Sequence, residues 1–247
     1  VAEIDRLVAG FRFVVVAGPT GTGKTRLLGR LGELGLQVLD LEGLANHRGS
    51  VLGGLPDSPQ PSQKAFDGSL WRTLSRLDPL QPILVESESR KIGQIHLPDA
   101  LIGRMRAAEC VVLELPVDLR VSLLREAYPH LERDGSPLAA NLQRLAPLYQ
   151  DSRVGEWRAL AAAGRWPQLV ERLLVEHYDP AYRRSMMRNY QRIGEAPVFT
   201  VADASEAALS ETARAVAGAI AGLGARAVRC PGPVSSPAAS ARSKSGP

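Results

Sequence analysis

One stretch of the chain has residue types and spacing suited to holding a phosphate group. Residues 18–25 read GPTGTGKT, follow the apolar run Phe13–Ala17, and satisfy the pattern G-x-x-x-x-G-K-[ST]. Glycines let the backbone turn tightly and present its amides, while the start of the following helix adds partial positive charge. Lys24 can reach a terminal phosphate, and the Thr25 hydroxyl can hold Mg²⁺. The sequence therefore predicts a phosphate-binding loop, whose candidate binding residues are Gly18, Thr20, Gly21, Thr22, Gly23, Lys24 and Thr25.

A second polar group follows the next apolar run, in residues 40–50, which read DLEGLANHRGS. Its side chains include the carboxylates of Asp40 and Glu42, the imidazole of His47 and the guanidinium of Arg48. Because the segment follows a predicted strand, it should lie at the carboxyl edge of the sheet, where ligands of open α/β folds bind. We expect Arg48 to contact a phosphate and His47 to lie near the reacting group. A capped polar turn is the alternative interpretation.

A third polar group, ESESRKIG, occupies residues 86–93 after another apolar run. An acid at the end of a buried strand commonly holds the water shell of a metal, so Glu86 or Glu88 is a candidate, with Glu114 as a rival. Such a carboxylate could instead cap the next helix. Arg90 could pair with a phosphate, or with Glu86 or Glu88. The candidate catalytic residues are His47, Arg48, Glu88 and Arg90, and the candidate metal ligands are Thr25 and Glu86.

These groups need a sheet edge to bring them together, and the order of elements predicts one. Apolar runs indicate strands at residues 13–17, 36–41, 82–86, 110–115 and 197–201, with helical stretches between them. This alternation predicts an α/β fold of the P-loop NTPase-like class, with a parallel sheet of about five strands and helices on both faces. We expect one domain over residues 1–225, with a helical insertion at about 119–192. The Pro/Ser/Ala-rich residues 226–247 are predicted to be a disordered basic tail.

Composition narrows the class of protein. The net charge is +4 over 247 residues, but four basic residues and no acids lie in the predicted tail, so the charge is weak evidence for nucleic-acid binding. Two cysteines exclude a disulfide framework and a four-thiolate metal site, and they favour a reducing compartment. No apolar run approaches the ~20 residues that a membrane-spanning helix requires. We therefore expect a cytoplasmic protein without a membrane partner.

The predicted insertion offers a possible surface for RNA. Residues 183–192 carry four arginines, with Tyr178, Tyr182 and Tyr190 nearby for stacking on bases. An arginine-rich helix that merely faces solvent is the alternative. The insertion also contains apolar side chains that either form a small helical core or line a pocket for a prenyl chain, with core packing favoured. These are Leu142, Leu145, Leu148, Trp157, Leu160 and Trp166.

Four motifs together resemble one family. GPTGTGKT, DLEGLANHRGS, ESRKIG at residues 88–93 and HLP at residues 96–98 are similar to the C-terminal P-loop domain of the bacterial tRNA 2-selenouridine synthases. The resemblance extends over about residues 13–126, with a weaker echo in HYDPAY at residues 177–182. It implies a transferase that acts on the wobble uridine of tRNA.

The resemblance also implies the chemistry and the co-substrates. The family converts 2-thiouridine to 2-selenouridine through an S-geranyl intermediate, with geranyl diphosphate and selenophosphate as donors. Both donors carry phosphate, so a phosphate-binding loop fits this chemistry without ATP hydrolysis. Which phosphorylated ligand the loop holds is left open, with ATP or GTP as further candidates and Mg²⁺ as a possible cofactor.

This chain departs from the family pattern in one respect. Family members carry an N-terminal rhodanese-like domain with a cysteine, whereas only twelve residues precede the first predicted strand here. Cys110 lies in a predicted buried strand and Cys230 in the predicted tail, so neither suits a low-pKa nucleophile. We therefore expect a rhodanese domain to act in cis or in trans. A P-loop kinase of a small molecule and a non-catalytic tRNA-binding module are the alternative functions.

Overall fold

The computed structural model describes residues 2–47, 59–128 and 151–227, together with positions 142, 145, 147 and 149. Arg48, Leu148 and Cys230 therefore lie outside the described residues, as does most of the predicted tail. None of the described helices is both long enough and apolar enough to cross a membrane.

A five-stranded parallel sheet forms the centre of the fold, as the sequence predicted. Its strands are β1 (Phe13–Ala17), β2 (Gln37–Leu39), β3 (Ile83–Glu86), β6 (Glu109–Glu114) and β7 (Val198–Thr200). They lie in the order β2-β3-β1-β6-β7. A separate antiparallel hairpin consists of β4 (Lys91–Ile92) and β5 (Ile95–His96). Because β3 lies between β2 and β1, the carboxyl ends of all three strands meet at one edge of the sheet.

Helices cover both faces of this sheet. The helices packed on the sheet are α1 (Ala2–Gly10), α2 (Lys24–Glu33), α3 (Leu41–Ala45), α4 (Gln63–Leu74), α5 (Asp99–Ala107), α6 (Val117–Ala127), α9 (Asp179–Asn189) and α10 (Glu206–Ala227). Two further helices, α7 (Asp151–Ala162) and α8 (Trp166–Leu173), pack against each other instead. A π-helical turn, Leu174–Tyr178, joins α8 to α9, and a 3₁₀ turn, Ile193–Glu195, precedes β7. The arrangement is the P-loop NTPase-like α/β class that the sequence predicted.

The alternation of side chains along β1 divides the core into two layers. Phe13 and Val15 pack with buried residues of α1, α4 and α5, whereas Val14 and Val16 pack with α2 and α10. Every residue of β1 is buried, as expected for a central strand of a parallel sheet with helices on both faces. The loop that follows β1 therefore begins from a rigid base.

The helical segment between β6 and β7 has a hydrophobic cluster of its own. Its buried members are Leu142, Leu145, Val154, Trp157, Leu169 and Leu173, and Leu160 and Trp166 pack against them. The interpretation of these apolar residues as core is thus confirmed at every described position. The predicted boundaries of the insertion and the tail stay predictions.

The structure differs from the predicted secondary structure at the end of β2, at helix α1 and at the β4–β5 hairpin. The second strand was predicted to run through residue 41, but β2 ends at Leu39 because Asp40 caps a short helix instead. The Asp40 carboxylate accepts a hydrogen bond of 2.7 Å from the amide of Gly43. Helix α1 and the β4–β5 hairpin were not predicted, although Ile4 and Val8 of α1 belong to the core.

Candidate phosphate-binding site

Three glycines give the loop after β1 its path. Gly21 and Gly23 have φ angles of 82° and 81°, in the left-handed region that favours glycine. Gly18 is restricted by space instead, since a Cβ there would lie 2.6 Å from the carbonyl oxygen of Leu113. The backbone can therefore pass close under β6 and enter α2 at Lys24.

The polar side chains of the loop point back toward its own backbone. The Nζ atom of Lys24 donates to the carbonyl oxygens of Gly18 at 2.8 Å and Pro19 at 3.3 Å. The hydroxyl of Thr22, only 2% exposed, donates to the Pro19 oxygen at 2.9 Å. Two carbonyl oxygens of the loop thus hold the Lys24 ammonium against it, close to where a bound phosphate would lie.

Three carboxylates converge beside Lys24 at the carboxyl ends of β2 and β3. Glu86 is the last residue of β3, Glu88 follows two residues later, and Glu42 lies in the first turn of α3. Their nearest oxygens all lie within 4.8 Å of one another. The sequence had selected Glu86 and Glu88, but not Glu42 as a site residue. The signal for Glu42 was its place just beyond the strand that neighbours β3.

Burial makes this carboxylate cluster electrostatically unfavourable as it stands. Desolvation raises the pKa of Glu86, which the nearby Lys24 ammonium and Thr25 hydroxyl partly oppose. Desolvation and the charges of the other two carboxylates raise the pKa of Glu42. The pKa of Glu88 is also raised, by burial and then by Glu86. The cluster therefore favours either bound protons or a cation.

The hydrogen bonding of Glu86 is typical of a metal ligand rather than of an ordinary buried acid. The residue is 3% exposed, and its Oε1 atom has no hydrogen-bond partner among the described residues. Buried polar atoms in folded proteins nearly always have a partner. Because carboxylate oxygens are preferred ligands of hard divalent cations, the donor set fits Mg²⁺.

His47 lies at the end of the α3 segment against the β4–β5 turn. Its Nδ1 atom is buried and lacks a hydrogen-bond partner in the described part of the chain. Burial lowers its pKa, which favours a neutral ring. Gly93, with a φ of 58°, leaves space for it, since a Cβ there would lie 2.8 Å from the Cδ2 of His47. Its predicted catalytic role, like that of Arg48, stays a prediction.

Arg90 and Glu114 lie apart from the carboxylate cluster. Arg90 pairs with Asp99 at 2.8 Å, with both side chains largely exposed, rather than with Glu86 or Glu88, which was one of the two alternatives. Its predicted catalytic role stays a prediction. The rival metal ligand, Glu114, is an exposed residue at the end of β6, on the other side of β1 from β3. Glu86 is therefore the better placed of the two strand-end acids.

The structure confirms only part of the surface for RNA that was predicted around α9: its arginines are exposed, but its tyrosines are not. Arg183, Arg184 and Arg188 are exposed. Arg192 pairs with Glu109 at 2.8 Å and with Glu195 at 3.2 Å. Tyr190 is only 4% exposed.

The tyrosines near this helix face inward, so their expected availability for base stacking is wrong. The Tyr190 hydroxyl exchanges hydrogen bonds of 2.8 and 2.9 Å with the backbone of Glu88. The Tyr182 hydroxyl accepts a hydrogen bond from the Gly18 amide, and Tyr178 packs against the cluster of the helical segment. Among the described residues of α9, the solvent-facing side is therefore positively charged and has no exposed aromatic side chain.

Cys110 is not a nucleophile in this fold. It is 2% exposed in β6, and burial raises the pKa of its thiol to about 11. A thiolate would therefore be scarce near neutral pH. The expectation from its place in an apolar strand is confirmed.

Comparison with known proteins agrees with the motifs on which the site is built. The family described as the tRNA 2-selenouridine synthase AAA domain matches residues 11–136, about half of the chain. The tRNA 2-selenouridine synthase of Nitrosomonas europaea is 39% identical over 131 residues, covering 52% of this chain and 34% of that protein. Those of Salmonella typhi and Marinobacter nauticus are 33% and 31% identical, each covering 73% of this chain.

The chain spans from about a third to little more than half of the length of these curated relatives, with 34%, 56% and 55% of them covered. The family match includes the phosphate-binding loop, the α3 segment and the carboxylate cluster. By this match, the chain belongs to the tRNA 2-selenouridine synthase AAA-domain family.

Proposed function

We propose that this chain is the phosphate-binding part of a tRNA-modifying transferase, which acts in the cytoplasm and converts 2-thiouridine at the wobble position to 2-selenouridine. The reaction would pass through S-geranyl-2-thiouridine, with geranyl diphosphate and then selenophosphate as co-substrates. One observation carries the proposal: this chain matches the family, and in it Lys24 and a buried carboxylate cluster lie beside the proposed phosphate-binding loop.

The loop is proposed to hold the diphosphate of the prenyl donor. Its backbone amides and the Lys24 ammonium would bind the anion, and they would stabilise the negative charge that develops as the diphosphate leaves. Arg48 is proposed to contact the same phosphates, with His47 near the reacting group. ATP or GTP remains the competing ligand for the same loop.

The donor set also supports a divalent cation, with Mg²⁺ as the proposed ion. Glu86, Thr25 and the neighbouring carboxylates of Glu42 and Glu88 would hold it. A bound cation would add positive charge beside the diphosphate. Because Glu88 belongs to this cluster, we now propose it as a metal ligand rather than as an acid or base.

The tRNA is proposed to contact the exposed face of α9. Arg183, Arg184 and Arg188 lie on that face, and arginine is the usual residue for phosphate recognition. Exchange of sulfur for selenium is associated with a thiolate in this family, and Cys110 does not supply one. A rhodanese domain, in cis or in trans, is therefore proposed to complete the reaction.

The experiment incubates the 247-residue chain with 2-thiouridine tRNA and geranyl diphosphate, then adds selenophosphate, and identifies the nucleosides by mass spectrometry. We expect the S-geranyl product, and selenouridine only after a rhodanese domain is added. A Lys24→Ala variant should form neither, while the matched control Lys64→Ala, an exposed lysine in α4, should behave as the parent. Absence of the S-geranyl product would refute the proposal, as would selenouridine formed by the chain without the rhodanese domain.

A further inference from the structure

A buried ion pair connects the phosphate-binding loop to the helical segment. Arg120 of α6 is 3% exposed, and its guanidinium donates to both carboxylate oxygens of Asp179, at 2.8 and 2.6 Å. Its Nε atom donates to the carbonyl oxygen of Thr20 at 2.8 Å. Bidentate pairs of this kind are strong and fix the orientation of the guanidinium. Arg120 is therefore held by α9 and itself holds the middle of the loop.

A second contact from α9 reaches the start of the same loop. Tyr182, one helical turn after Asp179, accepts a hydrogen bond of 2.5 Å from the amide of Gly18. Its hydroxyl also lies 3.4 Å from that of Ser87, and its ring centroid lies 5.9 Å from the Nζ of Lys24. Burial raises the pKa of Tyr182 to about 12, so it remains a neutral hydroxyl at physiological pH.

The α6 helix also packs directly against the phosphate-binding loop. A Cβ at Gly21 would lie 2.9 Å from the Cγ of Leu124 and 3.3 Å from the carbonyl oxygen of Arg120. The bend at Gly21 is thus packed against α6. Since glycine-rich backbone loses much conformational entropy when it is ordered, prior ordering should increase affinity for an anion.

We infer that Asp179 and Tyr182 are positioning residues of the phosphate-binding loop, which they order from α9 without contacting the ligand. Asp179 acts through Arg120 on Thr20, and Tyr182 acts on Gly18. The inference rests on the proposed phosphate-binding role of the loop, but it does not depend on the tRNA chemistry. It assigns a task in the site to the HYDPAY sequence, which the proposed function leaves without one.

Hydrogen exchange of the 247-residue chain tests the inference without any ligand. In Asp179→Asn and Tyr182→Phe, amides of residues 18–25 should exchange about tenfold faster, because the loop loses a hydrogen-bonded anchor. Exchange in β1 and α10 should stay unchanged. The matched control Glu156→Gln removes an exposed ion pair to Arg172 in the same helical segment and should leave the loop unaffected.

Binding of inorganic pyrophosphate with Mg²⁺, measured by calorimetry, gives the second readout. Both variants should bind about tenfold more weakly than the parent, with Lys24 and the carboxylates intact. Unchanged loop exchange in folded Tyr182→Phe would overturn the inference, even if Asp179→Asn fails to fold. Faster loop exchange with no pyrophosphate binding by the parent would support the positioning role while refuting the phosphate-binding proposal.

Discussion

Two groups of buried charges lie on opposite sides of the phosphate-binding loop, and they differ in how well they are satisfied. On the α6–α9 side, the Arg120–Asp179 pair has matched charges and close hydrogen bonds. On the β3–α3 side, carboxylates of like charge cluster together, and an oxygen of Glu86 lacks a partner among the described residues. Satisfied buried charge fixes structure, whereas unsatisfied buried charge indicates a ligand site.

Asp179→Ala should show the largest effect, and it should be on folding. The variant leaves the Arg120 guanidinium buried without its carboxylate, so the free energy of unfolding should fall by about 3–5 kcal/mol. Urea denaturation measures this change. Glu156→Ala, which breaks an exposed pair in α7, should cost less than about 1 kcal/mol. Equal losses of stability in the two variants would contradict the claim that the buried Arg120–Asp179 pair stabilises the fold.

Lys24→Ala should have the next largest effect, and it should be on binding. Loss of one charge-assisted phosphate contact should weaken geranyl diphosphate affinity by about 1.5–3 kcal/mol in calorimetry. Lys24 is only partly buried at the start of α2, so its removal should leave the fold intact. Unchanged affinity in the variant would contradict the assignment of the loop.

Glu86→Gln should show which of the two strand-end acids, Glu86 or Glu114, binds the cation. It replaces one oxygen donor of the carboxylate cluster, so affinity for Mn²⁺, used as a paramagnetic substitute for Mg²⁺, should fall about tenfold or more. The control is Glu114→Gln at the exposed end of β6, which should bind as the parent does. A loss of similar size in both variants would mean that the cluster is not the cation site.

Cys110 should give the smallest effect, namely no reaction. In a Cys230→Ser background, iodoacetamide should leave the native chain unmodified at pH 8, because the pKa of the Cys110 thiol is raised to about 11. Reaction should appear only above about pH 10, or after unfolding in urea. Mass spectrometry measures the modification, and rapid alkylation of the folded chain at pH 8 would show an accessible thiolate.

Local sequence patterns were sufficient to predict the sheet and the phosphate-binding loop. The five residues of β1 are all buried, and an apolar run followed by spaced glycines signals such a strand and turn. The exact end of β2 was missed because a single cap, Asp40, decides it. Caps act over a few residues and compete closely with strand propensity.

Contacts between distant residues could not be predicted from one sequence. Arg120 and Asp179 are 59 positions apart, and Tyr190 and Glu88 are 102 positions apart. No periodicity or spacing connects such pairs, since they arise only when the helical segment folds back onto the sheet edge. For the same reason Tyr190 was expected to face RNA, although tertiary contacts bury it.

Helix α9 has two faces with different surroundings, and this has a thermodynamic consequence. Its inner face holds the loop through Asp179 and Tyr182, and its outer face exposes Arg183, Arg184 and Arg188. A polyanion that binds the exposed face of α9 and shifts or stabilises this helix would therefore alter the affinity of the loop for its anion. Linkage requires the reverse effect to be equal, so a bound diphosphate would change the affinity for that polyanion by the same factor.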